Sequence, residues 1–173
     1  GGFDGLRIFN TETKNMTNKA IVEEINNSSR GFDNGPTNKA FKKAIDISKD
    51  TLDIPLQLLT IPGIRYRGIV DYAVAAVEND RNDCMLIFDI EEKDSLNNTV
   101  LDETQTVNIK NTINDFRGRG MNSSFAAAYF PDVIIDDPVN NTKDRVPPSV
   151  AVLGAFAKND AVGYAWTAPA GFT

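Results

Sequence analysis

From Pro55 onward the apolar positions alternate between two periods. Leu56 to Ile61 is a short aliphatic run closed by Pro62 and Gly63, which predicts a strand. Arg67 to Asn79 places Ile69, Val70, Ala73, Ala76 and Val77 on one face at helical spacing, so an amphipathic helix follows. Cys84 to Ile90 is almost continuously apolar, the mark of a strand covered on both faces at the centre of a parallel sheet. Asp102 to Phe116 repeats the helical period through Ile109, Ile113 and Phe116. Arg117 and Arg119 complement its negative end, and Gly118 and Gly120 stop it. Ser124 to Phe130 predicts a third strand that Pro131 ends or bends, with Val133, Ile134 and Ile135 continuing it at an edge.

Ahead of this core, Thr37 is expected to cap a helix that turns Ala40, Phe41, Ala44 and Ile45 inward, and Thr17 to Ile25 predicts a shorter one. Behind it, Pro147, Pro148 and Ser149 open a helix of small and aliphatic residues reaching Asn159. A helix apolar all round is expected to be buried. Its Ala151, Gly154, Ala155 and Lys158 fall on one side and invite close approach. The expected fold is therefore α/β: a small parallel sheet layered between helices in β-α-β-α-β-α order, with an irregular, partly helical N-terminal region. Residues 1–173 read as a single domain, with a sub-boundary in the polar segment 136–145.

Composition narrows the chemistry. At 173 residues the chain buries roughly 70% of its unfolded surface, enough for a self-sufficient core. With 41% hydrophobic and 24% charged residues it is neither disordered nor fibrous. A net charge of −6 with scattered basic residues argues against nucleic acid as a partner. No stretch approaches the run of about 20 apolar residues of a membrane span, so no membrane association is expected. The chain has no histidine and a single cysteine, Cys84, at the start of an apolar run. With no imidazole to activate it, Cys84 reads as a buried structural thiol.

The best hint of catalysis is the end of the second strand, Asp89-Ile90-Glu91-Glu92-Lys93-Asp94, because open parallel sheets bind ligands at the C-terminal ends of their strands. Asp89 and Glu91, with a third carboxylate from Asp132, Asp136 or Asp137, could hold Mg²⁺ for phosphoryl transfer or nucleotide binding. Nothing in the sequence supplies a nucleophile or amine beside them, and a solvated acidic strand exit accounts for the same residues. Gly1, Gly2 and Gly5 lack the preceding strand and the Gly-Lys-Ser/Thr of a phosphate loop, and read as a turn.

Three segments, in order and in register over nearly the whole chain, carry a resemblance. Gly1-Gly2-Phe3-Asp4-Gly5 looks like a Gly-Gly-x-Asp-Gly turn, and Leu59 to Ile64 like a strand ending in Pro62-Gly63. Val146-Pro147-Pro148-Ser149 opens a helix, followed by Asp160, Trp166 and Ala168-Pro169-Ala170-Gly171. Together they resemble the tail sheath proteins of contractile bacteriophages. The resemblance implies a structural virion protein rather than an enzyme. Copies of it would stack helically around a tail tube above a baseplate, and contract to drive the tube through the host envelope during genome ejection.

It also implies no cofactor, manufacture in the host cytoplasm, and residence in the tail of the virion. The family's N-terminal arm and C-terminal region lie outside the matched stretch, so the chain reads as an internal fragment, monomeric by itself. The sheath of a related contractile injection device shares these features. Two positions depart from the family pattern: Val150, where a smaller residue is frequent, and Lys158, where arginine is. Lysine keeps the charge but not the planar fork that grips a carboxylate twice. For Trp166, anchoring a partner and covering the core remain equal expectations.

Overall fold

A computed structural model describes residues 18–101, 105–164 and 166–169. Helix α1 (Asn18–Ile25) leads through two short 3-10 turns into α2 (Pro36–Ser48). Strand β1 (Leu58–Thr60), helix α3 (Arg67–Asn79), strand β2 (Met85–Asp89), helix α4 (Ile109–Gly118) and strand β3 (Ala126–Tyr129) follow in alternation. The chain closes with strands β4 (Val133–Asp137) and β5 (Thr142–Val146) and helix α5 (Pro148–Val162).

The fold is α/β. Strands β1, β2 and β3 form one parallel sheet with β2 in the middle, pairing Leu59 with Leu86 and Phe88 with Ala128. β2 is central for the reason its composition gives: Leu86, Ile87 and Phe88 are buried whichever way they point, so both faces of the strand are covered. Against it α3 turns Ile69, Val70, Ala73, Ala76 and Val77, the face expected from the period, into one hydrophobic cluster with Ile21, Ile45 and Ile64. Cys84 is buried and its burial pushes the thiol pKa up, as befits an inert structural cysteine.

Four expectations change. Val133 to Ile135 do not extend the parallel sheet. They pair antiparallel with β5 in a separate two-stranded hairpin, Val133 facing Val146 and Asp137 facing Thr142, so segment 136–145 is strand and turn rather than a linker. Asn141, at φ 53°, sits in the turn, where asparagine tolerates the left-handed region. Next, α4 begins at Ile109, with the side chain of Asn108 accepting from the Asn111 amide at 3.0 Å. Its Thr112 and Phe116 face inward, Phe116 against the ring of Phe88, whereas Ile109 and Ile113 are exposed.

Third, Thr37 lies inside α2 rather than at its cap, and the buried face of that helix is Thr37, Asn38, Ile45 and Ser48, with Phe41 half-buried and Ala40 and Ala44 exposed. Finally, the uniformly apolar α5 is not buried. Only Pro148 and Ser149 in its first turn are fully buried; Ala151, Val152, Leu153, Ala155 and Phe156 are half-buried, and Val150, Gly154, Ala157, Ala161 and Val162 are exposed. No residue after Phe130 among those described is a member of the hydrophobic cluster, and α5 meets the sheet at β2.

Candidate functional site

The C-terminal end of the parallel sheet is where the chain concentrates its buried charge. Asp89, the last residue of β2, is 1% exposed and acts only as an acceptor. It receives the amide of Gly63 at 3.1 Å, the amide of Ser149 at 2.8 Å and the Ser149 hydroxyl at 2.7 Å. Each donor is explained by its local sequence. Gly63 adopts φ +76° in the Pro62-Gly63 turn after β1, a conformation other residues rarely take, and so points its N–H back toward the sheet. Ser149 is the second residue of α5. Pro147 offers no side-chain cap and Pro148 has no N–H, so the orphan donors of that helix start at Ser149. A carboxylate there also meets the positive end of the helix dipole.

Beside Asp89 lies a four-member ionic cluster. Arg65 pairs with Glu92 at 2.9 Å and, more closely, with Asp132, and Arg145 bridges the same two acids at 3.2 and 2.8 Å. Burial works against the charge on Arg65, yet Glu92 and Asp132 outweigh it and raise its pKa. For Glu92 burial wins, and its carboxyl titrates above the usual range in spite of Arg65 and Arg145. A second set surrounds Glu91. Lys93 lies 3.7 Å from it, the Thr99 hydroxyl donates to it at 3.1 Å, and Arg67 reaches both Glu91 and Asp115. The Lys93 amide donates to the Thr112 hydroxyl at 2.9 Å, which ties this strand exit to α4.

These contacts redirect the Mg²⁺ expectation. Asp89 is filled by protein donors, Glu91 by Lys93 and Thr99, and Asp132 by two guanidinium groups. Asp136 sits on β4 opposite Lys143. Among the described residues no three carboxylate or thiol side chains come together as a metal ion would need. The acidic strand exit is a set of protein-internal acceptors. The sequence marks the right residues for a different reason.

A related device was not anticipated. Glu24, fully buried on α1, accepts the amides of Thr37 at 3.1 Å and Asn38 at 3.0 Å, and so caps α2. That helix also opens with glycine and proline, Gly35 and Pro36, and has no cap of its own. The legible signal is shared: a helix start lacking Ser, Thr, Asp or Asn at the cap needs an acceptor from elsewhere. Asn18 holds the turn before α3 instead, its side-chain oxygen accepting the amides of Arg65 and Tyr66, which precede the helix. Arg81, 1% exposed, donates to the carbonyls of Ser48 and Ile54 and so ties the end of α2 to the segment leading to β1.

The positions singled out by the sheath resemblance divide three ways. Pro62, Gly63, Pro147, Pro148 and Ser149 gather at Asp89 although they come from two ends of the fold. Asp160, Trp166 and Pro169 are exposed on or beyond α5. Trp166 is 81% exposed, and its ring stacks on Tyr164 with centroids 5.0 Å apart, so it covers no core. Gly1, Gly2, Asp4, Gly5 and Gly171 lie outside the described residues. No helix among the described residues is long and apolar enough to cross a membrane. Comparison with known protein families, with curated proteins and with solved structures returns no match for this chain.

Proposed function

We propose that the chain is the core of a structural subunit of a contractile tail sheath, assembling with copies of itself around a tail tube in the virion. The observation that carries this reading is the convergence on Asp89. The Pro62-Gly63 turn and the Pro147-Pro148-Ser149 helix start, which carry the resemblance, are held by one carboxylate although 86 residues separate Gly63 from Ser149 by their numbers.

A second observation fits the same reading. Helix α5 exposes an apolar surface continuous in sequence with Val162, Tyr164 and Trp166, each more than two-thirds exposed. Apolar surface of this extent is ordinarily covered by a partner. In the sheath reading the partners are neighbouring sheath subunits, the inner tube and the baseplate. The protein works by rigid-body rearrangement between two packings, without cofactor chemistry.

Electron microscopy of the natural polypeptide that carries this sequence tests the proposal. Long striated tubes are expected, and dispersed particles at every concentration and salt condition overturn it. Thermal melting separates it from Mg²⁺-dependent phosphoryl transfer or nucleotide binding. A ligand at about a hundred times its Kd adds about 2.7 kcal/mol and raises the midpoint by several degrees. Under the sheath reading Mg²⁺ with nucleotide leaves the midpoint in place.

A further inference from the structure

The hydrophobic cluster draws all its members from residues 21–90, with supporting contacts as far as Phe130. Beyond Phe130 the described chain adds no member to that cluster, and the hydrogen bonds and ion pairs that join it to the rest are few. Asp132 and Arg145, at the base of the hairpin, meet Arg65 and Glu92. The amide and hydroxyl of Ser149 meet Asp89. The two hairpin strands pack chiefly on each other, and α5 approaches the sheet chiefly at β2. Polar interfaces between two parts of one chain permit relative motion, because opening them exchanges protein hydrogen bonds for water hydrogen bonds and exposes little apolar surface.

We propose that the described residues beyond Phe130 form a hinged arm that lifts from and re-docks on the intact body formed by the described residues before it, with the Asp89 to Ser149 contact as its latch. Arm and body differ in what opening exposes. Releasing α3 or β2 would uncover Ile69, Val70, Val77, Leu86 and Ile87, all buried in the cluster. Releasing the arm uncovers two fully buried arm residues, Pro148 and Ser149, the half-buried Val152, Leu153 and Phe156 and the part of β2 that α5 approaches, together with ionic groups that water solvates well. The arm thus belongs to the low-stability end of the molecule, where moving elements are drawn from.

The two ionic contacts and the latch sit close in sequence on the arm, at Asp132, Arg145 and Ser149. They are spread over three body positions, Arg65, Asp89 and Glu92. The joint is therefore a short seam rather than an extended interface. The inference rests on contacts within one chain, so it stands even if the protein never polymerises.

Amide hydrogen exchange of the whole chain, resolved by peptide, tests it. In the unaltered protein, amides of 133–137, 142–146 and 150–162 are expected to exchange on the order of tenfold or more faster than those of 69–77 and 86–89, through an opening that low urea barely changes. In Asp89→Asn and, more mildly, Ser149→Ala, exchange in α5 and in the hairpin rises by the same factor while α3 keeps its rate. The hairpin response to Ser149→Ala is diagnostic, because Ser149 bonds Asp89 and no hairpin residue, whereas Asp89 also faces Arg65, the partner of Asp132. Ser149→Ala keeps the buried carboxylate and serves if Asp89→Asn fails to fold. If only the first turn of α5 responds, or arm and body accelerate equally, there is no hinged arm.

Discussion

Helices α2 and α5 begin alike and end up in opposite circumstances. Each opens on proline at its first position, has no side-chain cap of its own, and receives a buried carboxylate from a distant segment, Glu24 for α2 and Asp89 for α5. Beyond the cap they diverge. α2 carries Phe41 and Ile45 into the hydrophobic cluster and packs on α1 and α3. α5, the more apolar by composition, contributes nothing to that cluster among the described residues. A buried cap can complete a helix already held by its apolar face, or it can be the main attachment of one that is not. What separates the two cases is whether apolar positions concentrate on one side, since a helix apolar all round gives the core no preferred face.

Removing the α2 cap has the largest expected effect. Glu24→Ala leaves the amides of Thr37 and Asn38 buried without an acceptor, and is expected to cost about 2–4 kcal/mol of global stability. At roughly 2–4 °C per kcal/mol for a chain of this size, calorimetry should show a fall of many degrees. A midpoint within a degree of the parent would mean that α2 does not depend on Glu24. Gly35→Ala attacks the same cap sterically. An added Cβ would lie 2.1 Å from the Glu24 carboxylate oxygen, so the carboxylate must leave, at about 1–3 kcal/mol. Retention of full stability by this variant would show that Glu24 can cap α2 from another position.

Ser149→Ala, on the α5 side, removes one hydrogen bond of three on Asp89 and should lower the helix cap by about 1 kcal/mol. Its effect belongs in amide exchange of α5 and the hairpin, with the unfolding midpoint nearly unchanged. A large midpoint shift would place α5 in the cooperative core after all.

A smaller effect appears at high pH, on the body side. Burial and the bond from its hydroxyl to Asp33 at 2.8 Å push the pKa of Tyr66 up from 10.0 to about 12. The raised folded value means its contribution is complete below pH 10 and is lost as pH rises through about 12. Phenolate absorbance should therefore show a late step that Tyr66→Phe removes; an unchanged late step assigns it to another tyrosine. Smallest of all, Val150→Lys on the outer side of α5 should change the stability of the isolated chain by no more than about 0.5 kcal/mol. In the proposed assembly it should prevent tube formation, and tubes of normal length would remove that face from any interface.

Much of the body was readable because its signals were local. The continuous apolar run at Cys84 to Ile90 placed the central strand, and the five-residue face of α3 placed the helix covering it. The candidate site was legible as a place but not as a role. Acids at the end of β2 pointed to the right end of the sheet, yet whether Asp89 meets a metal ion or the amides of Gly63 and Ser149 depends on residues 26 and 60 positions away. Glu24 gave no sign, since an acid in a short amphipathic helix looks like any solvated one until α2 is laid against it. Ile109 and Ile113 misled for the converse reason: at i and i+4 they share a face, but Thr112 and Phe116 also do, and only packing chose between them.

Periodicity and composition determined by themselves the order of strands and helices in the body, the central place of β2 and the inertness of Cys84, because each follows from short-range spacing and from chemistry a residue carries anywhere. The tertiary structure decided the rest. It set the hairpin apart from the parallel sheet, left α5 only partly covered, and turned Asp89 and Glu24 into caps. Those outcomes depend on which donors a buried carboxylate meets across the fold, and no local pattern encodes that distance.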